Sequence, residues 1–396
     1  MRKILANAQY GLTLALIILT ALGILKGGIW TWSGVFILLA LIVLDTVSRA
    51  QTPGTGVDET GKLLGIPAVL NTFLYFSLPV DIFLLFVLAW RVFQYAHGVP
   101  IEAGELLGVT VTNGITGWQL VGATLSAGFL LGMSNVFAHE LAHTKGCSHV
   151  IGRWVSSFIG AAHFCIAHVY QHHQHAGCPE VDPATCPRGW SLYKFFLHSH
   201  VGQSLYVRDF EASRLAKLGT PFWSWNNRWL RGYAMTVPAV ALLAFAGGWI
   251  GIAVMVGFSI VGIFSQEAFN YLEHYGLIRA PGQPIEYRHS WDNDTAFNNA
   301  LWIEIGRQAD HHDRGDTHFW ELAAVGAPNT GWGYLSLFPL ALIPPLWDAY
   351  MKRCLAEWDR NFASPEERLL AEEANRKAGW TMPADPTYVM KVNGGA

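Results

Sequence analysis

Six apolar stretches limit this chain more than any other feature, each long enough to cross the ~30 Å hydrocarbon layer of a bilayer. They cover residues 10–25, 29–47, 66–90, 118–138, 232–247 and 249–268. A segment in lipid must satisfy its backbone N–H and C=O groups internally, so stretches of this kind are helices. Composition agrees: 52% of the 396 residues are hydrophobic and 14% are charged, against roughly 25% charged in soluble domains. The expectation is an all-α integral membrane protein, one membrane domain over residues 1–396, with the lipid bilayer around it. A net charge of −3 gives no polyanion-binding signature, so nucleic acid is set aside as a partner.

Loop charges orient the bundle. Six spans put both termini on one side, and Arg2, Lys3, Arg49, Lys62 and the basic residues from Lys145 to Arg231 all fall on that side. The loop at 96–117 has no Lys or Arg, and only Lys26 and Arg91 break the pattern. Positive charge marks the cytoplasmic face, so the N- and C-termini are expected there. Arg2 and Lys3 before an apolar run resemble a signal peptide, but no small-residue cleavage site follows, which reads as a retained first helix. Short turns at Lys26-Gly27-Gly28 and Gly247-Gly248 suit tight helical hairpins. Two polar blocks remain: a cytoplasmic insertion at 144–229, mixing loops with interfacial helices, and a cytoplasmic C-terminal region at 277–396. The latter contains an apolar interfacial piece, 335–347, and a helix opened by the capping box Ser364-Pro365-Glu366-Glu367.

The histidines carry the chemistry. Sixteen are present, and eight of them gather in four short clusters. His139-Glu140-Leu141-Ala142-His143 spaces two imidazoles by four, which places both on one helical face. His168, His172 and His173 repeat that spacing with one extra ring. His274 follows the sixth apolar stretch, and His311-His312 lies where Gln308 precedes His312 by four residues. Eight imidazoles exceed what one ion holds, so two metals are the economical reading. Imidazole suits iron, copper, nickel and zinc, and ligand type alone does not choose. Glu140, Glu273 and Asp310 are candidates for orienting the rings from behind.

These motifs resemble the membrane-bound alkane hydroxylase and xylene monooxygenase family, which shares its histidine boxes with membrane fatty-acid desaturases. The cluster at 139–143 looks like its first box and His168 with His172-His173 like its second. Asn270-Tyr271-Leu272-Glu273-His274-Tyr275-Gly276-Leu277 is similar to its third signature. Asp310-His311-His312, followed by Ile343-Pro344-Pro345-Leu346-Trp347, looks like its last, and the tail from Glu357 to Trp380 is closer to the xylene branch. The resemblance implies two non-heme iron ions held by His139, His143, His168, His172, His173, His274, His311 and His312. It also implies O2, a hydrophobic substrate (an n-alkane or an alkyl-aromatic such as a xylene) whose methyl C–H bond is hydroxylated, and a bacterial inner membrane location. Electrons would come from a rubredoxin or ferredoxin-type donor with its reductase, since the five cysteines form no C-x2-C pair. The chain departs from the family at Gln308, where a histidine usually opens the last box, so Gln308 is a further candidate ligand beside the eight histidines.

Rival readings are few. His139 to His143 also satisfies H-E-x-x-H, the motif of a zinc protease with Glu140 as base, which leaves six clustered histidines without a role. A desaturase would use the same metal site, and a metal transporter would place ligands near the membrane midplane instead. Small residues of the fourth stretch (Gly122, Ala123, Ser126, Ala127, Gly128, Gly132, Ser134) suit close helix packing or a substrate path. Asp81, after Pro79, is either a functional intramembrane carboxylate or the cap of a half-helix. His198 and His200 read as surface or outer histidines, and His97, His149, His163, His175, His289 and His318 as structural or solvated.

Overall fold

The computed structural model describes residues 7–48 and 65–382. Arg2, Lys3, Arg49 and Lys62 lie outside the described residues, so the charge argument is carried there by the remaining loops. Among the described residues, six helices are long and apolar enough to span a membrane: Gln9–Lys26, Gly28–Val47, Pro67–Ala96, Gly117–Ala142, Arg228–Gly247 and Trp249–His274. The protein is an all-α multi-pass membrane protein, with one small exception among the described residues. Between the third and fourth spans, β1 (Glu102–Leu106) and β2 (Val109–Asn113) form an antiparallel hairpin. Leu107 and Gly108 form its tip with φ of 51° and 79°, the left-handed pair that a tight two-residue hairpin turn requires.

The chain divides into two compact units. The first takes in the described residues up to Leu41, then Gly65–Cys165 and Val207–Gln266; the second takes in Ile42 onward to 48, Ile166–Tyr206 and the residues from Glu267.

The first unit is built around the fourth spanning helix, 89% buried over its apolar window while the other spans are 22–44% buried. Its small residues decide how near its neighbours come. A Cβ on Gly128 would stand 2.8 Å from the Phe258 carbonyl oxygen, and one on Gly132 would stand 2.9 Å from that of Gly262. Ser126 Oγ accepts from the Gly34 amide at 3.1 Å and donates to the Thr31 carbonyl at 3.0 Å. The small-residue stripe is therefore a packing surface for the second and sixth spans. Large apolar side chains such as Leu19, Phe76, Phe86 and Phe245 point outward, as lipid demands. Asp81 caps nothing, because the helix runs unbroken through Pro79; its carboxylate accepts from Ser134 Oγ at 2.8 Å.

Arg91, one exception to the charge pattern, is buried at the end of the first span. Its guanidinium donates to the carbonyls of Ile24 (2.8 Å), Leu25 (2.7 Å) and Thr112 (2.9 Å). The first two carbonyls lie in the last turn of the first span and the third in β2, so the charge is fixed by capping a helix end and by attachment of β2. The turn between the first two spans bends at Gly27 and Gly28, both at positive φ.

The second unit joins the end of the sixth span to the C-terminal helices Pro344–Asn361 and Pro365–Lys377. Arg188 is the tie: it donates to the Gly276 carbonyl at 2.8 Å, forks onto Asp359 at 2.9 and 2.6 Å, and reaches Asn375 at 2.8 Å. The expected capping box is present, with Ser364 N donating to Glu367 at 2.8 Å and Glu367 N to Ser364 at 3.3 Å.

Candidate metal centre

The second unit brings together six of the eight expected ligands. His274 sits on the last turn of the sixth span, which ends at Gly276 with φ of 70°. His311 and His312 lie on the short helix Gln308–Asp313, whose Ala309 amide is capped by Asp292 at 2.8 Å. His168, His172 and His173 come from a segment that is not α-helical. Residues His168–His172 form a π-helical turn, which corrects the expected i,i+4 face. In an α-helix of 3.6 residues per turn, residue i+5 points about 140° away from residue i. The wider π turn closes between those two positions instead, a feature that recurs at functional sites.

The consequence is a division of the rings. His173 Nε2 lies 3.1 Å from His168 Nε2 and 3.1 Å from His311 Nε2. His172 belongs elsewhere: its ligand nitrogen and those of His274 and His312 all lie within 4.8 Å of one another. Nitrogens that share one ion at about 2.1 Å stand roughly 3.0–3.4 Å apart, so the first set already has the separation an ion imposes. The second set has the orphans. His274 Nε2 and both ring nitrogens of His312 are buried and have no hydrogen-bond partner, an arrangement that costs about 1–3 kcal/mol per group unless something binds there. Burial and the neighbouring histidines hold the His312 imidazole well below its usual range, so it is neutral and able to ligate. These residues fit a metal.

The side chains behind the rings fix their tautomers. His172 Nδ1 faces Asp182 Oδ2 at 2.8 Å, and Asp182 also accepts from Thr185 Oγ1 at 2.7 Å and the Ala184 amide at 3.1 Å. Burial by itself would raise this carboxyl, but His172 and Thr185 hold it below the usual carboxylate range. His274 Nδ1 donates to the His289 carbonyl at 3.2 Å. In both cases Nε2 is left for the metal. Sequence reasoning missed Asp182, although Asp-Pro-Ala-Thr ten residues after a histidine cluster is an Asx-turn signature. It placed His289 among structural residues, and His289 does not join the ligand cluster.

The expected ring-orienting carboxylates fare differently. Asp310 binds Arg314 Nε and the Ala323 amide, each at 2.7 Å, so it anchors a loop and orients no histidine. Glu273 is buried beside Gln308 and Tyr334. Glu140 is buried in the first unit, where His139 and His143 lie at the end of the fourth span with ring centroids 5.9 Å apart. Of the remaining histidines, His97 stacks on Phe93 at 4.1 Å, His318 stacks on Trp320 at 4.3 Å, and His198 and His200 lie on the helix Leu192–Lys217.

Comparison with known proteins places this geometry in context. Residues 116–334 match the Fatty acid desaturase family. The chain is 31% identical over 364 residues to the xylene/toluene monooxygenase hydroxylase component XylM of Pseudomonas putida, covering 91% of this chain and 92% of that protein. It is 32% identical over 292 residues to alkane 1-monooxygenase 1 of Pseudomonas aeruginosa, covering 71% and 75%. It is also 32% identical over 242 residues to the alkane 1-monooxygenase of Acinetobacter baylyi, covering 59% of each.

Proposed function

Because this chain belongs to the fatty acid desaturase family and is related along most of its length to xylene and alkane monooxygenases, we propose that it is a membrane di-iron monooxygenase. Its reaction is hydroxylation of an unactivated methyl C–H bond in a hydrophobic substrate, an n-alkane or an alkyl-aromatic such as a xylene, with O2. The observation that supports this most is the histidine cluster of the second unit with its buried, unpartnered nitrogens at His274 and His312.

Two irons, when bound, supply the oxygen chemistry that no acidic or basic side chain performs. The chain holds and orients them. His172, His274 and His312 hold one; His168, His173 and His311 belong to the other, and His139 and His143 join it on the strength of the first sequence motif. Asp182 and the His289 carbonyl keep the rings of His172 and His274 turned inward. The site lies at the end of a spanning helix, so a substrate dissolved in the bilayer reaches it without crossing water. Electrons come from a rubredoxin or ferredoxin-type protein with its reductase. The protein resides in a bacterial inner membrane with both termini cytoplasmic.

The purified chain, supplied with such a donor system, O2 and linear alkanes or alkylbenzenes in parallel, is expected to bind about two irons and to yield an alcohol carrying one oxygen atom from O2. One zinc per chain, insensitive to iron supply, together with no oxidised product, would overturn the proposal and favour the protease reading. Formation of an alkene would instead favour a desaturase, the second reading that the family match supports.

A further inference from the structure

Four arginines of the first unit gather where the fifth span begins, with Glu211 the carboxylate among them. Arg228 and Arg231 stand one turn apart at the start of Arg228–Gly247, Arg153 comes from the helix Cys147–Phe158, and Arg214 from the helix Leu192–Lys217. Arg153 Nη2 donates to the Arg228 carbonyl at 2.6 Å and lies against the backbone of Gly232, where a Cβ would stand 3.0 Å from it. Glu211 accepts from Arg214 Nε and Nη2 at 2.9 and 2.8 Å, from Arg228 Nε at 2.7 Å and from the Arg228 amide at 2.8 Å, so its oxygens are taken up by those two residues. Arg153 and Arg231 are left over. Arg153 is 6% exposed, the Nε atoms of both are buried, and neither Nε has a hydrogen-bond partner. Burial and the like charges of Arg231 and Arg228 all push the Arg153 guanidinium below its usual range. Guanidinium groups removed from water without a counter-charge are costly, and their N–H forks match the oxygens of a phosphate.

The surroundings say where that phosphate comes from. The fifth span is the least buried of the six, at 22% over its apolar window, and Val237 and Phe245 point outward from it. Trp223 and Trp225, both strongly exposed, stand just before its first turn, as aromatic residues do at a membrane interface. A lipid whose acyl chains lie along that outer face carries its headgroup at the level of Arg228 and Arg231, and basic pockets beside spanning helices take anionic headgroups. We propose that Arg153, Arg228 and Arg231 bind the phosphodiester of an anionic phospholipid at the start of the fifth span. Arg231 donates to the phosphate from the lipid side and Arg153 from the protein side, so that the headgroup ties the fifth span to the helix Cys147–Phe158. The site uses no metal ligand and stands or falls apart from the two-iron reading.

The delipidated, detergent-solubilised full chain is titrated with phosphatidylglycerol, with phosphatidylcholine of the same acyl length and with inorganic phosphate, and the first lipid bound is followed by mass spectrometry of the intact protein. The parent is expected to bind phosphatidylglycerol at least about tenfold more tightly than phosphatidylcholine, and to keep it in excess inorganic phosphate. R231Q, at a half-buried side chain, should weaken phosphatidylglycerol about tenfold, the worth of one hydrogen bond to a charged group. R231K, which keeps the charge and loses the fork, should fall between the two. R208Q, whose arginine pairs with Asp209 on the surface, should bind as the parent does. Phosphatidylglycerol bound no better than phosphatidylcholine, or bound alike by the parent and R231Q, overturns the proposal. Equal weakening in R208Q also overturns it, because the attraction would then be one of general charge. Displacement by inorganic phosphate would make this a site for the free ion. Unchanged lipid affinity in R231Q, with loss of salt-dependent binding to an acidic electron-donor protein, would make it a protein docking surface. Should R231Q fail to fold, R231K against R208Q carries the same comparison.

Discussion

Asp182 shows how much one buried carboxylate can decide. It is fully buried, and its partners are His172, Thr185 and the Ala184 amide, so replacing it leaves a ligand ring free to rotate and to change tautomer. D182A is expected to weaken iron binding about 10- to 100-fold, as loss of a ring-orienting partner does at other histidine metal sites, and D182N to weaken it less because the amide oxygen still accepts from Nδ1–H. Competition against a chelator measures both, and unchanged iron affinity in D182A would remove the role assigned to it. By the same logic H172A and H312A lose iron and turnover, whereas H97A, whose ring stacks on Phe93, loses neither. The six histidines that gather in the second unit stood out in the sequence because they fall in short clusters. Asp182 did not, since its role depends on a turn that folds ten residues back onto the ring, and no periodicity records such a contact. The π turn at 168–172 was hidden for the same reason: an α-helical period is assumed wherever histidines recur at four.

The C-terminal helix Pro365–Lys377 reads in sequence as a soluble appendage, and its capping box was legible from Ser364 and Glu367 alone. What the sequence did not reveal is that Glu367 serves two elements at once. Besides capping its own helix, its carboxylate accepts from His289 Nε2 at 2.8 Å and Arg288 Nε at 2.9 Å, while Trp358 Nε1 donates to the Arg288 carbonyl at 2.6 Å. His289 Nδ1 accepts from the Glu286 amide at 2.9 Å, which makes Nε2 the protonated nitrogen, and burial holds this imidazole below its usual range. Because the His289 carbonyl orients His274, the tail helix supports the metal site through one intermediate residue. Burial would raise the Glu367 carboxyl, yet His289 and Arg288 hold it down to about 2, below the ~4.3 of an unfolded chain. Its stabilising contribution is thus complete above about pH 4.3 and is lost as the pH falls through about 2. Hydrogen exchange in the tail helix should show protection that declines over that window in the parent. E367Q should exchange faster at pH 7 and show a much weaker decline between pH 4 and 2; equal protection in the two proteins at pH 7 would dissociate the tail from the site.

Hydropathy located all six spans because lipid leaves a chain little choice, and the longest overruns of the apolar stretches carry polar residues, as at Arg91–Ala96 and Phe269–His274. The hairpin at 102–113 escaped notice because its alternation is short and its tip is Leu-Gly, which lacks the Asn-Gly or Asp-Gly signature of such turns. That hairpin and residue 147 lie beyond opposite ends of the fourth span, Gly117–Ala142, and together they test orientation. Leu107 is 96% exposed at the hairpin tip, and Cys147, just past the histidine end, is an exposed free thiol. If the histidine end faces the cytoplasm, as the basic residues from Lys145 to Arg231 argue, a membrane-impermeant maleimide added to intact spheroplasts should label L107C and leave the native Cys147 unmodified until the membrane is opened. The parent chain supplies the control, since its accessible thiols, the exposed Cys147 and the half-buried Cys178, should react only after permeabilisation. Labelling of Cys147 in sealed cells, with L107C protected, would invert the topology and would put the site on the side where no reduced electron carrier of the proposed class could reach it.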